Sequence, residues 1–433
     1  MMKTYDSYKD SGIEWIGELP SNWKVRQIRS LFQERKEVVS DKDYEPLSVT
    51  KKGIVKQLDN VAKTDNNDSR KKVLTNDYVI NSRSDRKGSS GLSRYDGSVS
   101  VINIVLKMIT DVSDVRYYEY IFKSYDFIEE FFRNGKGIVW DLWSTRYSEM
   151  KYIKISLPPL SEQEQIVSYL DEKTSLIDEM VEKKKRKIEL LKEYRTSLIN
   201  TVVTKGLNPD VPMKDTGIEW IGEIPDEWVN SKLKYNSKII GRIGYRGYTV
   251  DDLVDEGQGV ITLSPSNIDD GELNLEKRTF LSYEKYYESP EIIIEHDDII
   301  YVQRGSSIGK SSIIPFNHPE MTINPQLVIL KKFNCIPRFI YYFLKSEVIT
   351  TQTNIQISGG SIPLITQNSV ENFIVVLPKS KEEQSQIVEY LDSKTKEIDD
   401  LVQLEQKKID FLIEYRQSLI SNVVTGKIKV VSE

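Results

Sequence analysis

Residues that do chemistry are scarce in this chain. There is one cysteine and there are two histidines in 433 residues. Cys335, being alone, excludes an internal disulfide and fits a reducing compartment, where it reads as a small buried apolar residue. His296 and His318 have no cysteine or histidine beside them at metal-ligand spacing, so no metal site is expected. No apolar run approaches the roughly 18 residues that a membrane span needs. The N-terminal MMKTYDSYKDSG has no apolar stretch after its lysine, unlike a secretory signal. A cytoplasmic location and no membrane partner are therefore expected.

Catalytic motifs are missing as well. Gly305 to Ser311, GSSIGKS, approaches a phosphate-binding loop, but three residues separate its glycines where that motif needs four, and a strand-like SSIIPF follows where it needs a helix. No glycine-rich cofactor fingerprint follows a strand and opens a helix, so no cofactor is expected. Asn324-Pro325-Gln326-Leu327 lacks the second proline and the aromatic of an amino-methyltransferase tetrapeptide. Triplets such as Glu34-Arg35-Lys36 and Glu182-Lys183-Lys184 arise by chance in a chain with 29% charged residues. The balance favours binding over catalysis.

An excess of basic charge is also absent. The formal net charge is −6, awkward for a phosphate binder, yet it is uneven. Residues 24–156 hold 25 Lys and Arg against 19 Asp and Glu, whereas 229–376 hold 14 against 17. The acidic excess lies mainly outside these two stretches, and what a phosphate meets is the local potential of the contact face.

What is present is a duplication. Lys9 to Trp23, KDSGIEWIGELPSNW, returns as KDTGIEWIGEIPDEW at Lys214 to Trp228 with four differences. Glu162 to Asp178, EQEQIVSYLDEKTSLID, returns within EEQSQIVEYLDSKTKEID at Glu382 to Asp399, and Ile188 to Thr204 returns at Ile409 to Thr425. The first offset is 205 and the later one 221, so two shared frames bracket inserts of unequal length.

From Ser161 to Thr204 the chain has no proline or glycine. Apolar residues recur at helical spacing at Ile166, Leu170, Ile177, Met180, Val181, Ile188, Leu191, Tyr194, Leu198 and Val202. Ser161 and Glu164 suggest a capping box, and Lys205-Gly206 a stop. The second copy repeats the stripe at Ile387, Leu391, Ile398, Leu401, Val402, Ile409, Leu412, Tyr415, Leu419 and Val423, with Gly426 where the first copy has Lys205. Each helix should run roughly 40 residues, about 60 Å. A narrow stripe between charged faces needs a partner helix, and two matching stripes favour a coiled-coil seam in which the helices run antiparallel about a pseudo-two-fold axis, with the inserts at opposite ends.

Between the frames, short apolar runs such as DYVINSRSD, SVSVINIVLKM, DDIIYVQRG and QLVILKKF read as strands. Helical aromatic pieces lie at Val115 to Asn134 and Pro337 to Gln352, making each insert α+β. The expected plan is two β-rich domains, 1–156 and 207–376, alternating with long helices in 157–206 and 377–433. Polar glycine-containing loops carry donors suited to phosphates and guanine edges. In the first insert these are Arg83, Arg86, Lys87 and Arg94, and the following segment offers Lys136, Trp140, Trp143 and Arg146. The second insert offers Arg242, Tyr245, Arg246, Ser264, Asn267, Gln303, Arg304, Ser306, Lys310 and Ser361. An adaptor whose inserts bind protein is the competing reading, motivated by the acidic total; the missing motifs disfavour a self-contained nuclease or methyltransferase.

Taken together, the paired SGIEWIGELP-type openings, the LPPLSEQEQIV-type closing phrase and the helix ends in EYRxSLIxxVVT resemble the specificity subunit of a type I restriction-modification system, over nearly the whole chain. That resemblance implies two target recognition domains, each reading one half of a split double-stranded DNA sequence, with the helices as a spacer ruler. It implies docking of two methyltransferase subunits and, through them, of motor-nuclease subunits, and no chemistry by this chain itself.

Overall fold

The computed structural model describes residues 4–57, 69–110, 113–138, 143–269, 271–357 and 363–430. The chain divides into two units, Met1–Lys185 with Gln406–Glu433, and Arg186–Glu405. Each unit thus holds one opening phrase, one insert and a stretch of both long helices.

In the first unit the opening phrase forms a hairpin, Tyr8–Asp10 against Glu18–Pro20, with the intervening turn passing through Gly17 at φ +72°. Lys24–Gln27 then pairs antiparallel with Lys154–Leu157, which brings the two ends of the insert together. The insert is built on a four-stranded antiparallel sheet in the order Phe32–Glu34, Asn103–Met108, Tyr78–Asn81, Ser90–Leu92. A second sheet has the order Gly97–Ser100, Arg70–Val73, Val38–Val39. Helix Val115–Lys123 buries Tyr118 and Phe122, whose rings meet Phe32 at 5.0 Å and Tyr78 at 4.9 Å. Burying side chains of this size contributes about 1.5–3 kcal/mol each and fixes the helix on the sheet.

The second unit repeats the plan. Met213–Asp215 pairs with Glu223–Pro225, and Val229–Lys232 with Ile374–Leu377. Its main sheet runs Lys238–Gly241, Leu327–Lys331, Ile299–Val302, Ser311–Ile313, the same order and antiparallel sense as in the first unit. The other sheet differs: Leu253–Val254, Phe280–Ser282, Gly259–Leu263 and Met321–Ile323, the last two parallel. Trp228, Phe339, Phe343 and Phe373 are buried in the large apolar core, together with Cys335, whose thiol burial pushes up to about 11. Ser311–Ile313 is a strand, so the glycines at 305 and 309 open no helix.

Both aromatic helical pieces are interrupted, where one continuous helix was expected from each. Val115–Lys123 gives way to Tyr125–Arg133 at Ser124, and Pro337–Leu344 to Glu347–Gln356 at Ser346. The cause is the same serine twice: its hydroxyl donates to the carbonyl of Ile121 or of Phe343, each at 2.7 Å, while its own backbone is extended. A serine that satisfies an orphan carbonyl and begins the next turn competes with helix continuation.

The long helices span Leu160–Lys205 and Lys381–Val424. The first starts one residue before Ser161, so that serine lies inside the first turn and does not cap it. Their inward positions follow alternating steps of four and three: Val167, Leu170, Thr174, Ile177, Val181, Lys184, Ile188, Leu191, Arg195, Leu198 and Val202 in the first, all buried or half-buried. This is a heptad seam. Ile166, Ile387, Leu391, Ile398, Ile409 and Leu419 are buried, and Leu412 is half-buried. Met180, Tyr194, Leu401 and Tyr415 are exposed, contrary to their place in the apolar stripe; each precedes a seam position by one residue, about 100° around the helix. Two of the seam positions that follow them hold arginine. In the second unit Arg195 Nε lies 3.1 Å from Asp399 and Lys187 lies 3.0 Å from Glu405, so advancing along one helix retreats along the other, and the pairing is antiparallel. In the first unit the repeat-related Arg416 lies 2.9 Å from Asp178.

The frame ties are duplicated atom for atom. Gln163, fully buried, donates to the Pro158 carbonyl at 2.9 Å and accepts from the Asp114 amide at 3.0 Å. Gln384 does the same with the Pro378 carbonyl at 2.9 Å and the Ile336 amide at 2.8 Å. Trp23 donates to Glu162 at 3.0 Å, and Trp228 to Glu383 at 2.9 Å. Gly206 and Gly426 both take φ +76° just past the helix ends, against Trp228 and against Pro20 with Trp23, so the shift between Lys205 and Gly426 leaves the two endings alike. Gln163→Ala and Gln384→Ala should each lower stability by about 1–3 kcal/mol, since each strands a buried carbonyl and a half-buried amide. Urea denaturation of the variants reads this directly, and unchanged midpoints would remove the ties from the account.

Candidate nucleic-acid interface

In each insert the third strand of the main sheet runs into an eight-residue loop before the edge strand, residues 82–89 and 303–310. The second residue of each loop is an arginine. Arg83 bridges to Ser144 and Arg304 to Leu364, so both are held by the segment that closes the insert. The loop residues that follow differ: Asp85, Arg86 and Lys87 in one, Ser306, Ser307 and Ile308 in the other.

Arg83 is exposed and lies 3.1 Å from Asp85, while the more exposed Arg86 is 3.8 Å from the same carboxylate. Lys87 pairs with Glu129 at 2.7 Å and lies over the Phe132 ring. Arg94 is exposed in the turn after Ser90–Leu92, and Lys136 is exposed 3.6 Å from Glu149. Arg146 is exposed at the start of the short helix Tyr147–Met150 and has no ion-pair partner among the described residues. It shares with Arg83 a cleft of about 710 Å³ that also takes in Lys36, Lys71, Lys151 and, among the described residues, a single carboxylate, Glu34. Tyr147 lines it too, its hydroxyl donating to the Phe32 carbonyl at 2.9 Å; burial raises its pKa.

In the second insert Arg304, Ser306 and Lys310 are exposed, and Arg304 has no ion-pair partner among the described residues. Lys310 lines a cleft of about 640 Å³ with Lys192, Arg195, Lys345 and Asp269. Gln303 donates to the Pro325 carbonyl at 3.2 Å, Arg246 lies 3.3 Å from Glu291, and Ser264 lies 2.8 Å from Ser266.

Three expected contact residues face inward. Arg242 is buried, donating to the Ile323 carbonyl and to the Thr322 hydroxyl at 3.1 Å each, and burial lowers its pKa. Asn267 is buried, its amide donating to the carbonyls of Asn274 at 3.0 Å and Lys277 at 2.7 Å. Trp143 donates to the Phe132 carbonyl at 3.0 Å and packs on Gly135. Their hydrogen-bonding capacity is spent on the protein, which is what a loop does to hold its shape. Trp140, Ser361 and the Tyr245 side chain lie outside the described residues. The cleft cations Lys36, Lys71 and Lys151 were not among the expected contacts; Lys36 lies between Phe32–Glu34 and Val38–Val39, Lys71 on the middle strand of the second sheet and Lys151 in the turn after Tyr147–Met150.

Among the described residues no group of three or more His, Cys, Asp or Glu is placed to hold a metal ion, and no helix is long and apolar enough to cross a membrane.

The family described as Type I restriction modification DNA specificity domain matches twice, at residues 20–190 and 227–411. The putative type I restriction enzyme MjaX specificity subunit of Methanocaldococcus jannaschii is 23% identical, with 96% of each chain covered. A solved chain from work on complex assembly and conformational transition of the type I R-M system superposes with a TM-score of 0.71 at 16% identity, covering 94% of this chain and 98% of that one. The HsdS subunit from Thermoanaerobacter tengcongensis gives 0.53 at 16% identity, covering 95% and 98%. These two likenesses concern the fold.

Arg242→Ala should cost about 1–3 kcal/mol of stability by removing the buried donor to the Ile323 carbonyl and to the Thr322 hydroxyl oxygen, whereas Arg304→Ala should leave the melting temperature unchanged. Thermal denaturation of the two variants side by side tests the assignment, and equal shifts would undo it.

Proposed function

The chain belongs to the type I restriction-modification DNA specificity family, a non-catalytic component of that system, and within it we propose that each insert reads one half of a bipartite duplex target. The readers are the β-rich parts of 1–156 and 207–376, and the helices in 157–206 and 377–433 set the spacer between half-sites and dock two methyltransferase subunits, through which the motor-nuclease subunits join.

The observation that carries this reading is the pair Arg83 and Arg304. One sheet order delivers an arginine to the same position of two loops whose other residues are unlike. A common scaffold with unlike chemistry is what two different half-sites require. An exposed arginine is the side chain best matched to guanine O6 and N7, and the cations around Arg83 suit the adjoining phosphates. The net charge of −6 does not oppose this, because phosphate contact depends on the local field.

With its methyltransferase partner, the protein should bind a bipartite duplex with an affinity that falls steeply as salt rises, through counterion release. Arg83→Ala should relax one position of one half-site and Arg304→Ala one position of the other, each by about 1–3 kcal/mol of discrimination. Methylome sequencing of cells carrying the complete system reads both motifs at once. Loss of specificity in both halves from either single variant contradicts the two-reader model.

A further inference from the structure

Beside Arg83 and Arg146, the wall of the first unit's cleft is formed by two aliphatic residues at the tip of a turn. Val101 is 50% and Ile102 42% exposed, although both are β-branched and apolar. They occupy the two-residue turn between Gly97–Ser100 and Asn103–Met108. The turn is clamped from below. Asn103, buried, donates its side-chain amide to the Ser100 carbonyl at 3.0 Å, and Lys71 donates to the Asn103 carbonyl at 2.8 Å. The tip is thus presented on a rigid base.

Single exposed aliphatics are ordinary on protein surfaces and need no explanation. Two adjacent ones on a clamped turn, inside a cleft whose described lining holds five cations and one carboxylate, are a different arrangement. The surrounding charge selects a polyanion as the occupant. The only apolar group on a base edge in the major groove is the thymine 5-methyl, and aliphatic side chains are its usual partners. Arginines reading guanine edges work in that same groove. The register of the second unit makes Pro325 and Gln326 the equivalent tip, since Asn103 pairs with Asn81 as Leu327 pairs with Val302. Where one tip is aliphatic, the other carries an amide, so the two inserts differ in chemistry at this place as well.

We propose that Val101 and Ile102 are specificity-determining residues that contact thymine 5-methyl groups in the half-site read by the first insert. This rests on the two-reader function proposed above. The test uses the protein assembled with its methyltransferase partner and duplexes carrying the motif found by methylome sequencing, with each thymine of either half replaced in turn by uracil, which removes only the methyl.

The wild-type complex should lose about four-fold in affinity for each contacted methyl removed, in one half-site only. The double variant Val101→Ser with Ile102→Ser should bind thymine and uracil duplexes alike and still discriminate the other half-site. Ile102→Ala serves as a milder second variant, with thermal denaturation as the check on folding. A half-site pair without thymine, uracil substitutions that cost nothing, or variants that keep the wild-type thymine preference would each overturn the proposal while leaving the two-reader function intact. Failure of the variants to assemble with the methyltransferase would overturn it in favour of a protein-docking tip. Absence of any bipartite motif from the wild-type system would sink the underlying function instead.

Discussion

Two buried glutamines hold the architecture together. An amide in the protein interior must use both its donor and its acceptor, and Gln163 and Gln384 each spend one on the proline-rich lead-in to a long helix and the other on the amide of the residue that precedes an aromatic helix. Three separate pieces of chain are thereby located from one side chain: the end of the insert, the start of its helical layer and the first turn of the long helix. The indoles of Trp23 and Trp228 add a fourth by fixing the opening phrase on the neighbouring glutamate. With its ends pinned in this way, the interior of an insert is free to change. The two main sheets keep one strand order while the accompanying sheets differ, three antiparallel strands in one unit and four with a parallel pair in the other.

The seam between the long helices is less apolar than a heptad implies. Arg195 and Arg416 occupy inward positions, and each meets an aspartate of the other helix, Asp399 or Asp178. Glu405, also inward and almost wholly buried, meets Lys187. Charge pairs of this kind add little net stability after desolvation, and a well-packed apolar residue would serve as well or better. What they supply is register, as polar seam residues do in coiled coils. Within each unit the Arg–Asp pair belongs to one alignment of the helix segments there, so a local slip separates it. For two helices of over forty residues with repeated apolar stripes, many alignments bury comparable hydrophobic area, and the polar guests single out one.

Much of this frame is legible in the sequence because repetition marks it. The stripe from Ile166 to Leu198 and its copy identify the helices, and the change in offset from 205 to 221 locates the inserts. The errors share a cause. A pattern of apolar residues counts Met180 and Tyr194 and passes over Arg195, because a charge becomes an inward residue only through a partner some two hundred positions away. Ser124 and Ser346 look harmless within helical runs, yet both end a helix by bonding backward. In the inserts Arg83 and Arg242 stand in similar glycine-containing loops, and only the strand Met321–Ile323, reached eighty residues later, makes one of them interior. Loop composition therefore identifies where donors are plentiful, while tertiary structure decides which of them remain available.

Availability is also a question of charge already neutralised. Arg83 sits beside Asp85 and Lys87 beside Glu129. Such pairs at a surface are worth only about 0–1 kcal/mol, so exchanging a local carboxylate for a phosphate or a base edge costs little, and the pairing meanwhile holds the side chain near its working position. This is a reason for a reader to be less basic than a count of phosphate contacts would demand. Arg146 and Arg304, which lack such partners among the described residues, are ready in a different sense: their full charge faces solvent and acts at a distance. The first insert combines both kinds in one cleft, in keeping with the excess of Lys and Arg in 24–156 against the deficit in 229–376.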